Sequence, residues 1–243
     1  MCGRYAVTLA PEVYRAFYGY EDQPNFPPRF NIAPTQPVAV VVSDGGARRF
    51  RLMRWGFLPG WVKEPKGFPL LINARSETVA EKPAFRAAAR RRRCVFLADA
   101  FFEWRRDGAE KIPFAIRMRD GGPMPVAGLW ETWSDPQSGE LDTAAIVTTD
   151  ANGLLAAIHD RMPVILQPDD LDAWLDPEAR IEEALALTRP CEPERLTMFE
   201  VSRRVNRVAN DDASLLEPVA GEAPVPAARK AKPPEESGQG SLF

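Results

Sequence analysis

Apolar residues recur along the chain in short runs broken by glycine, proline and paired charges, a pattern that predicts many strands and few helices. Arg4 to Thr8 reads as an opening strand. Pro11 to Tyr18 reads as a short helix, with Pro11 in its first turn, Val13 and Phe17 one turn apart, and Gly19 as its stop. Residues 21–36 carry four prolines and predict irregular backbone. Val38 to Val42 is an apolar strand, Asp44-Gly45-Gly46 a hairpin turn, and Arg49 to Trp55 the returning partner. A second irregular stretch runs to Leu71-Ile72-Asn73.

Pro83 to Arg92 has helix-forming composition, and the basic run Arg90 to Arg93 suits a helix C-terminus; a solvated helix end is preferred there over a phosphate clamp. Strand patterns follow at Cys94 to Leu97, Phe101 to Arg105, Ile112 to Met118, Val126 to Trp133 and Thr143 to Thr148, separated by Asp-Gly and Ser-Gly turns. Ala151 to Ile158 predicts a short helix and Val164 to Leu166 a short strand. Helices are expected around Asp169 to Leu175 and Glu178 to Leu187, and a last strand at Met198 to Val201. The fold class is therefore α+β: one mixed domain over residues 1–217, built on a curved, barrel-like, mainly antiparallel sheet with peripheral helices.

From residue 218 to 243 the pattern fades into Ala, Pro, Glu, Lys, Gly and Ser, which predicts a disordered tail. It ends on Gln239-Gly240-Ser241-Leu242-Phe243. Two large apolar residues at the end of a polar tail suggest a docking peptide.

Composition narrows the class. An apolar fraction of 45% supports a core, and 31 Lys plus Arg against 34 Asp plus Glu give a net charge of -3, so no global basic field advertises nucleic acid. A local basic groove stays open, because most of the cations are arginines. Three scattered cysteines, Cys2, Cys94 and Cys191, fit neither a disulfide framework nor a zinc ribbon. No signal-peptide pattern and no bilayer-length apolar run are found, and a cytoplasmic, nucleoid-associated monomer is expected. No cofactor and no metal are expected.

Candidate chemistry lies in a few residues. Trimming of Met1 would leave Cys2 with an α-amine beside a thiol. The amine, with a reference pKa of about 7.7 to 8.0, condenses with aldehydes, and the thiol can then close a thiazolidine ring. Cys2 is otherwise an ordinary small residue at a tolerant terminus. His159 is the single histidine, either structural or a general acid at a helix-to-loop junction. Glu103 lies among aromatics in Phe101-Phe102-Glu103-Trp104; alternation places it on a solvent face, whereas a pocket would raise its pKa and make it a proton shuttle. Asn73 is a turn former or a fixed amide that orients a substrate oxygen or the Cys2 amine, and Arg75 is suited to a phosphate.

Six blocks in order resemble the signature of the SRAP family: Met1-Cys2-Gly3-Arg4-Tyr5, Asn31-Ile32-Ala33-Pro34-Thr35, Arg54-Trp55-Gly56, Asn73 to Thr78, Phe102-Glu103-Trp104 and His159 to Pro163. The resemblance covers nearly all of residues 1–217. It implies covalent capture of abasic sites in single-stranded DNA, with Cys2 as the covalent residue, Asn73 positioning it, and Glu103 and His159 as the acid/base pair. It also implies that Arg4, Arg75 and Arg161 hold DNA phosphates. In relatives the loop after the Trp-Gly block often offers an aromatic wedge; here Trp61 and Val62 compete for that role, with Pro34 a further wedge candidate. The tail resembles a bacterial sliding-clamp-binding motif, with Gln239, Leu242 and Phe243 as its anchors. A thiol (auto)peptidase that uses Cys2 and His159 is the alternative function, and a non-covalent single-strand binder is a third.

Overall fold

The computed structural model describes residues 2–135 and 139–219. Two β-sheets dominate. The first comprises β1 (Tyr5–Val7), β2 (Arg29–Ile32), β7 (Ala100–Asp107), β8 (Glu110–Met118) and β12 (Leu196–Glu200), in the order β12-β8-β7-β1-β2. The second comprises β3 (Pro37–Asp44), β4 (Ala47–Trp55), β5 (Asn73–Arg75), β6 (Arg93–Phe96), β9 (Val126–Asp135), β10 (Gly139–Asp150) and β11 (Arg161–Pro163).

The second sheet closes on itself. β10 pairs antiparallel with β9 along residues 139–146 and parallel with β4 at Thr143 and Ala144, so β10-β4-β3-β6-β9 form a ring. Closure removes free edges and turns alternate side chains into a common interior. Gly128 of β9 faces this interior, where a Cβ would meet the Phe96 ring and come within 2.9 Å of Cys94 Sγ, so only glycine fits.

Helices lie outside the sheets. α1 (Pro11–Tyr18) buries Tyr14 and Tyr18 one turn apart and ends on Gly19, whose φ of 67° suits glycine. α2 (Arg86–Arg91) and α3 (Leu171–Leu175) are joined through Arg93. Its guanidinium donates to the carbonyls of Trp174 (2.6 Å), Ala89 (2.8 Å), Arg90 (2.7 Å) and Asp176. The expected solvated end therefore fails at Arg93, which is buried because free helix-end carbonyls need donors. α4 (Ile181–Ala186) follows.

Three local expectations change. β2 lies inside the proline-rich stretch, because Pro24, Pro27 and Pro28 precede the strand and Pro34 follows it, which leaves its N–H groups free to pair with β1. The helix expected at Ala151 to Ile158 is a 3-10 turn over Leu155–Ala157. Here Asn152 Oδ1 accepts from the N–H groups of Leu154 and Leu155, and Ala151 N donates to the Asp160 carbonyl, which closes the segment as a loop. Val164 to Leu166 is not a strand; β11 ends at Pro163, and the apolar residues beyond it cross from β10 to β9.

A strap over residues 203–216, with 3-10 turns at Arg203–Asn206 and Ala213–Leu216, packs Val205, Leu215 and Leu216 against Phe102, Ala115 and Phe199. It covers the face of the first sheet that points away from the ring. Pro218 and Val219 still pair with Val201 and Glu200. The tail beyond them, including Gln239, Leu242 and Phe243, lies outside the described residues. Among the described residues, no helix is long and apolar enough to cross a membrane.

Candidate active site

The start of the chain is drawn inward by sheet pairing. β1 lies between β7 and β2, with Tyr5 opposite Phe101, and Phe102 N donates to the Arg4 carbonyl at 3.0 Å. Extending that pairing back along the chain brings Cys2 beside the Glu103 end of β7. Cys2 is 1% exposed, with Sγ 3.9 Å from the Arg4 carbonyl.

Asn73 opens β5, which runs parallel to β10 with Asn73 opposite Ile146. From there its Nδ2 donates to the main-chain carbonyl of Cys2 at 3.1 Å. The Oδ1 of the same amide is buried and accepts no hydrogen bond among the described residues.

Glu103 is 3% exposed, contrary to the solvent face expected from alternation. β7 is an inner strand covered on one side by the barrel layer and on the other by the strap, so neither of its faces meets solvent at this position. Burial lifts the Glu103 carboxyl above the usual carboxylate range, with His159 opposing that rise. Burial also pushes the Cys2 thiol well up, and the Glu103 charge adds to it. The thiol is thus held protonated, next to a carboxyl able to carry a proton nearer neutrality.

His159 precedes β11 and makes two contacts that demand opposite states of Nδ1. Arg161 N donates to Nδ1 at 3.0 Å, which needs a lone pair, whereas Asp160 Oδ1 lies 2.9 Å away, which needs a proton. The backbone bond decides the tautomer, because the Asp160 side chain is 87% exposed and solvated. Nε2 then carries the proton and can donate it.

Glu103 and His159 share a cleft of about 430 Å³ with Arg4, Trp104 and Asn206, and Arg106 and Lys111 complete its lining. Arg4 is largely committed inside, its Nη1 donating to Asn31 Oδ1 (2.7 Å) and to the Val205 carbonyl (2.7 Å). Asn31 Nδ2 in turn donates to the carbonyls of Val205, Arg207 and Asn210, and Trp104 Nε1 donates to Asn206 Oδ1 (2.8 Å). These bonds clasp the strap as one wall of the cleft.

Arg161 is also internally engaged. Its guanidinium meets Glu77 (2.6 and 2.9 Å), Asp150 (2.7 Å) and the Thr148 carbonyl (2.8 Å), tying β11 to β10 and to the turn after β5. Arg75 is exposed and makes no ion pair among the described residues. Trp61 is 60% exposed and edge-on to Phe68 at 5.9 Å, while Val62 is buried and accepts a bond from Trp133 Nε1. Pro34 is half-buried, before Thr35, whose φ is 74°. Arg75, Trp61 and Pro34 do not line the cleft. Among the described residues, no group of three or more His, Cys, Asp or Glu could hold a metal ion.

Sequence reasoning did not single out Arg106, Lys111 or Asn206. The first two face each other across the Asp107-Gly108 hairpin and could have been found from its register. Asn206 reaches the cleft only through tertiary packing and carries no local signal.

The model of the SOS response associated peptidase (SRAP) family matches residues 1–208. The chain belongs to the SRAP family. Its relatives in that family include the abasic site processing protein YoaM of Bacillus subtilis, 38% identical over 228 residues that cover 89% of this chain and 98% of YoaM. The abasic site processing protein YedK of Escherichia coli is 33% identical over 227 residues, covering 90% of this chain and all of YedK. Among solved structures, a protein of Bacteroides thetaiotaomicron aligns with a TM-score of 0.83 at 26% identity, covering 90% of this chain and 100% of that one.

Proposed function

We propose that this SRAP protein processes abasic sites and captures them covalently in single-stranded DNA through Cys2. The observation that carries the reading is the Asn73 amide holding the Cys2 carbonyl at 3.1 Å, where the Glu103 charge acts on the thiol. Removal of Met1 frees the Cys2 amine. That amine attacks the aldehyde carbon of the ring-opened deoxyribose, giving a carbinolamine that loses water to an imine. The thiol then adds to the imine carbon. Its proton passes through Glu103 to the nitrogen, so the net change is aldehyde plus aminothiol to thiazolidine plus one water.

Each residue has a part. A thiol kept neutral by burial leaves the first attack to the amine, and a carboxyl whose pKa is raised by burial accepts a proton more readily than an ordinary carboxylate and can return it. His159 donates Nε2–H to the sugar oxygen during ring opening. The buried Oδ1 of Asn73 accepts from the Cys2 amine. Closing the ring removes the imine, the electron sink that would promote strand scission.

On the DNA side, exposed Arg75 is the readiest of the three arginines to meet a phosphate; Arg4 and Arg161 must exchange an internal partner to do so. Trp61, exposed where Val62 is buried, is the base wedge of this chain, with Pro34 as a second contact. Gln239, Leu242 and Phe243 are proposed to bind a replicative sliding clamp. A thiol peptidase is the weaker reading, because burial moves the Cys2 thiol away from the thiolate such a nucleophile needs.

The test is incubation with an abasic single-stranded oligonucleotide followed by denaturing electrophoresis. The protein should give a denaturation-resistant adduct and Cys2→Ala none. An adduct that persists in Cys2→Ala refutes the reading.

A further inference from the structure

We infer that Arg106 and Lys111 form a phosphate grip at the mouth of the cleft, holding a phosphodiester of single-stranded DNA beside the captured sugar. The inference rests on the function proposed above and assigns it two further binding residues.

Arg106 and Lys111 are direct cross-strand partners on the β7–β8 hairpin, two pairs beyond Trp104 and Pro113 and so on the same face. Like charges placed directly opposite each other repel and destabilise a hairpin. Surface arginines elsewhere in this chain are commonly matched to acids, as in Arg92–Glu131, Arg203–Glu110 and Arg204–Asp212. Arg106 and Lys111 make no ion pair among the described residues. The nearest acidic cross-strand pair, Asp107 with Glu110, points to the opposite face of the hairpin, and Glu110 is already bound to Arg203 at 2.7 Å.

The rest of the cleft does not neutralise them. Its single acidic lining residue, Glu103, is buried at the inner end. Arg4 is spent on Asn31 and Val205, so among the described residues the uncommitted cations of this cleft are Arg106 and Lys111. An anion between them relieves the repulsion, and the flat face of Trp104 next to the pair suits the sugar or base that a phosphodiester brings. A strand entering here places phosphate at the mouth and carbon at the inner carboxyl.

The experiment measures binding of a short, intact single-stranded oligonucleotide by fluorescence anisotropy between 50 and 200 mM salt. It compares the full chain with Arg106→Gln/Lys111→Gln and with the charge-conserving exchange Arg106→Lys/Lys111→Arg. Each phosphate contact on a single strand adds roughly 0.7 to the slope of log affinity against log salt. The neutral double variant, which gives up one gripped phosphodiester, should therefore lose roughly 0.7 of slope, about 2.6-fold less weakening over that salt range. The exchange variant should keep the slope, and neither variant should melt below the parent protein. A neutral double variant with the parent slope overturns the inference.

A second arm replaces one phosphate at a time by methylphosphonate in an abasic strand. The parent protein should slow at a phosphate flanking the lesion to which the neutral double variant is indifferent. Equal slowing of both proteins at every position also overturns the inference. A parent protein that binds strands with the expected slope yet forms no adduct refutes the proposed function instead, so the two failures are separable.

Discussion

The side-chain amide of Asn73 donates to the main-chain carbonyl of Cys2 at 3.1 Å, joining two residues 71 positions apart in the chain. A parallel pairing of β5 with β10 delivers the amide, and the pairing of β1 with β7 delivers the carbonyl. Cys2 is thus positioned by two sheets at once. Replacing Asn73 by Ala removes its bond to the Cys2 carbonyl and the acceptor proposed for the Cys2 amine, each worth about 1 kcal/mol, so single-turnover capture of an abasic strand should slow roughly 30-fold. An unchanged rate would deny Asn73 its positioning role.

Glu103 stability and chemistry should move in opposite directions. Its folded pKa is raised above the ordinary 4.5 by burial, so the unfolded chain gives up its proton first as pH rises. Native stability therefore drains away between pH 4.5 and the raised folded value. Glu103→Gln, which keeps the neutral shape, should melt at or above the parent temperature at pH 7, and the difference should vanish below about pH 4.5. Capture should meanwhile slow by roughly 100-fold or more, the usual cost of losing a proton shuttle. Thermal melts across pH and single-turnover rates check both parts.

Arg161 and Glu77 make a different pH prediction. The Arg161 hydrogen bond holds the Glu77 carboxyl below its usual range, so this pair stabilises the fold above pH 4.5 and is lost as pH falls through the lowered value. Glu77→Gln should cost about 1 to 2 kcal/mol at pH 7, a cost held down by solvent around half-exposed Glu77. The parent and variant should converge at low pH in denaturant titrations. A constant gap down to pH 2 would contradict the assignment.

Trp61→Ala should weaken binding of intact single strands by about 1 to 3 kcal/mol, roughly 5- to 150-fold, if its exposed ring stacks on a base. Val62→Ala should act on stability, because Val62 packs with Leu58 and Trp133. Strand titrations and melts separate the two; a Trp61→Ala variant with parent affinity removes the wedge.

Much of the fold was legible because local signals agreed with it. Pro11 and Gly19 bound α1 as the sequence predicts, and the Gly-containing turns after Asp44, Asp107 and Asp120 separate strands that form close to their expected places. The failures share a cause. Ala151 to Ile158 has helix composition, but the pairing of Asp150 with Arg161 and the Asn152 side chain bonding Leu154 N and Leu155 N close it into a loop with a single 3-10 turn. Glu103 looks solvent-facing because alternation assumes one wet face, and the strap that covers β7 comes from about 100 residues downstream. The Cys2, Asn73, Glu103 and His159 set was legible as residue types; that Asn73 would hold a carbonyl, or that Arg4 and Arg161 would be engaged inside, was not. Those facts depend on partners that only the folded chain brings together.

Proteolysis of the adduct with an abasic strand, followed by mass spectrometry of the crosslinked peptide, decides whether Cys2 is the covalent residue. The crosslinked peptide should begin at Cys2, lack Met1, and carry the sugar remnant joined with loss of one water. A linkage on any lysine, or on a peptide that still carries Met1, would contradict that assignment.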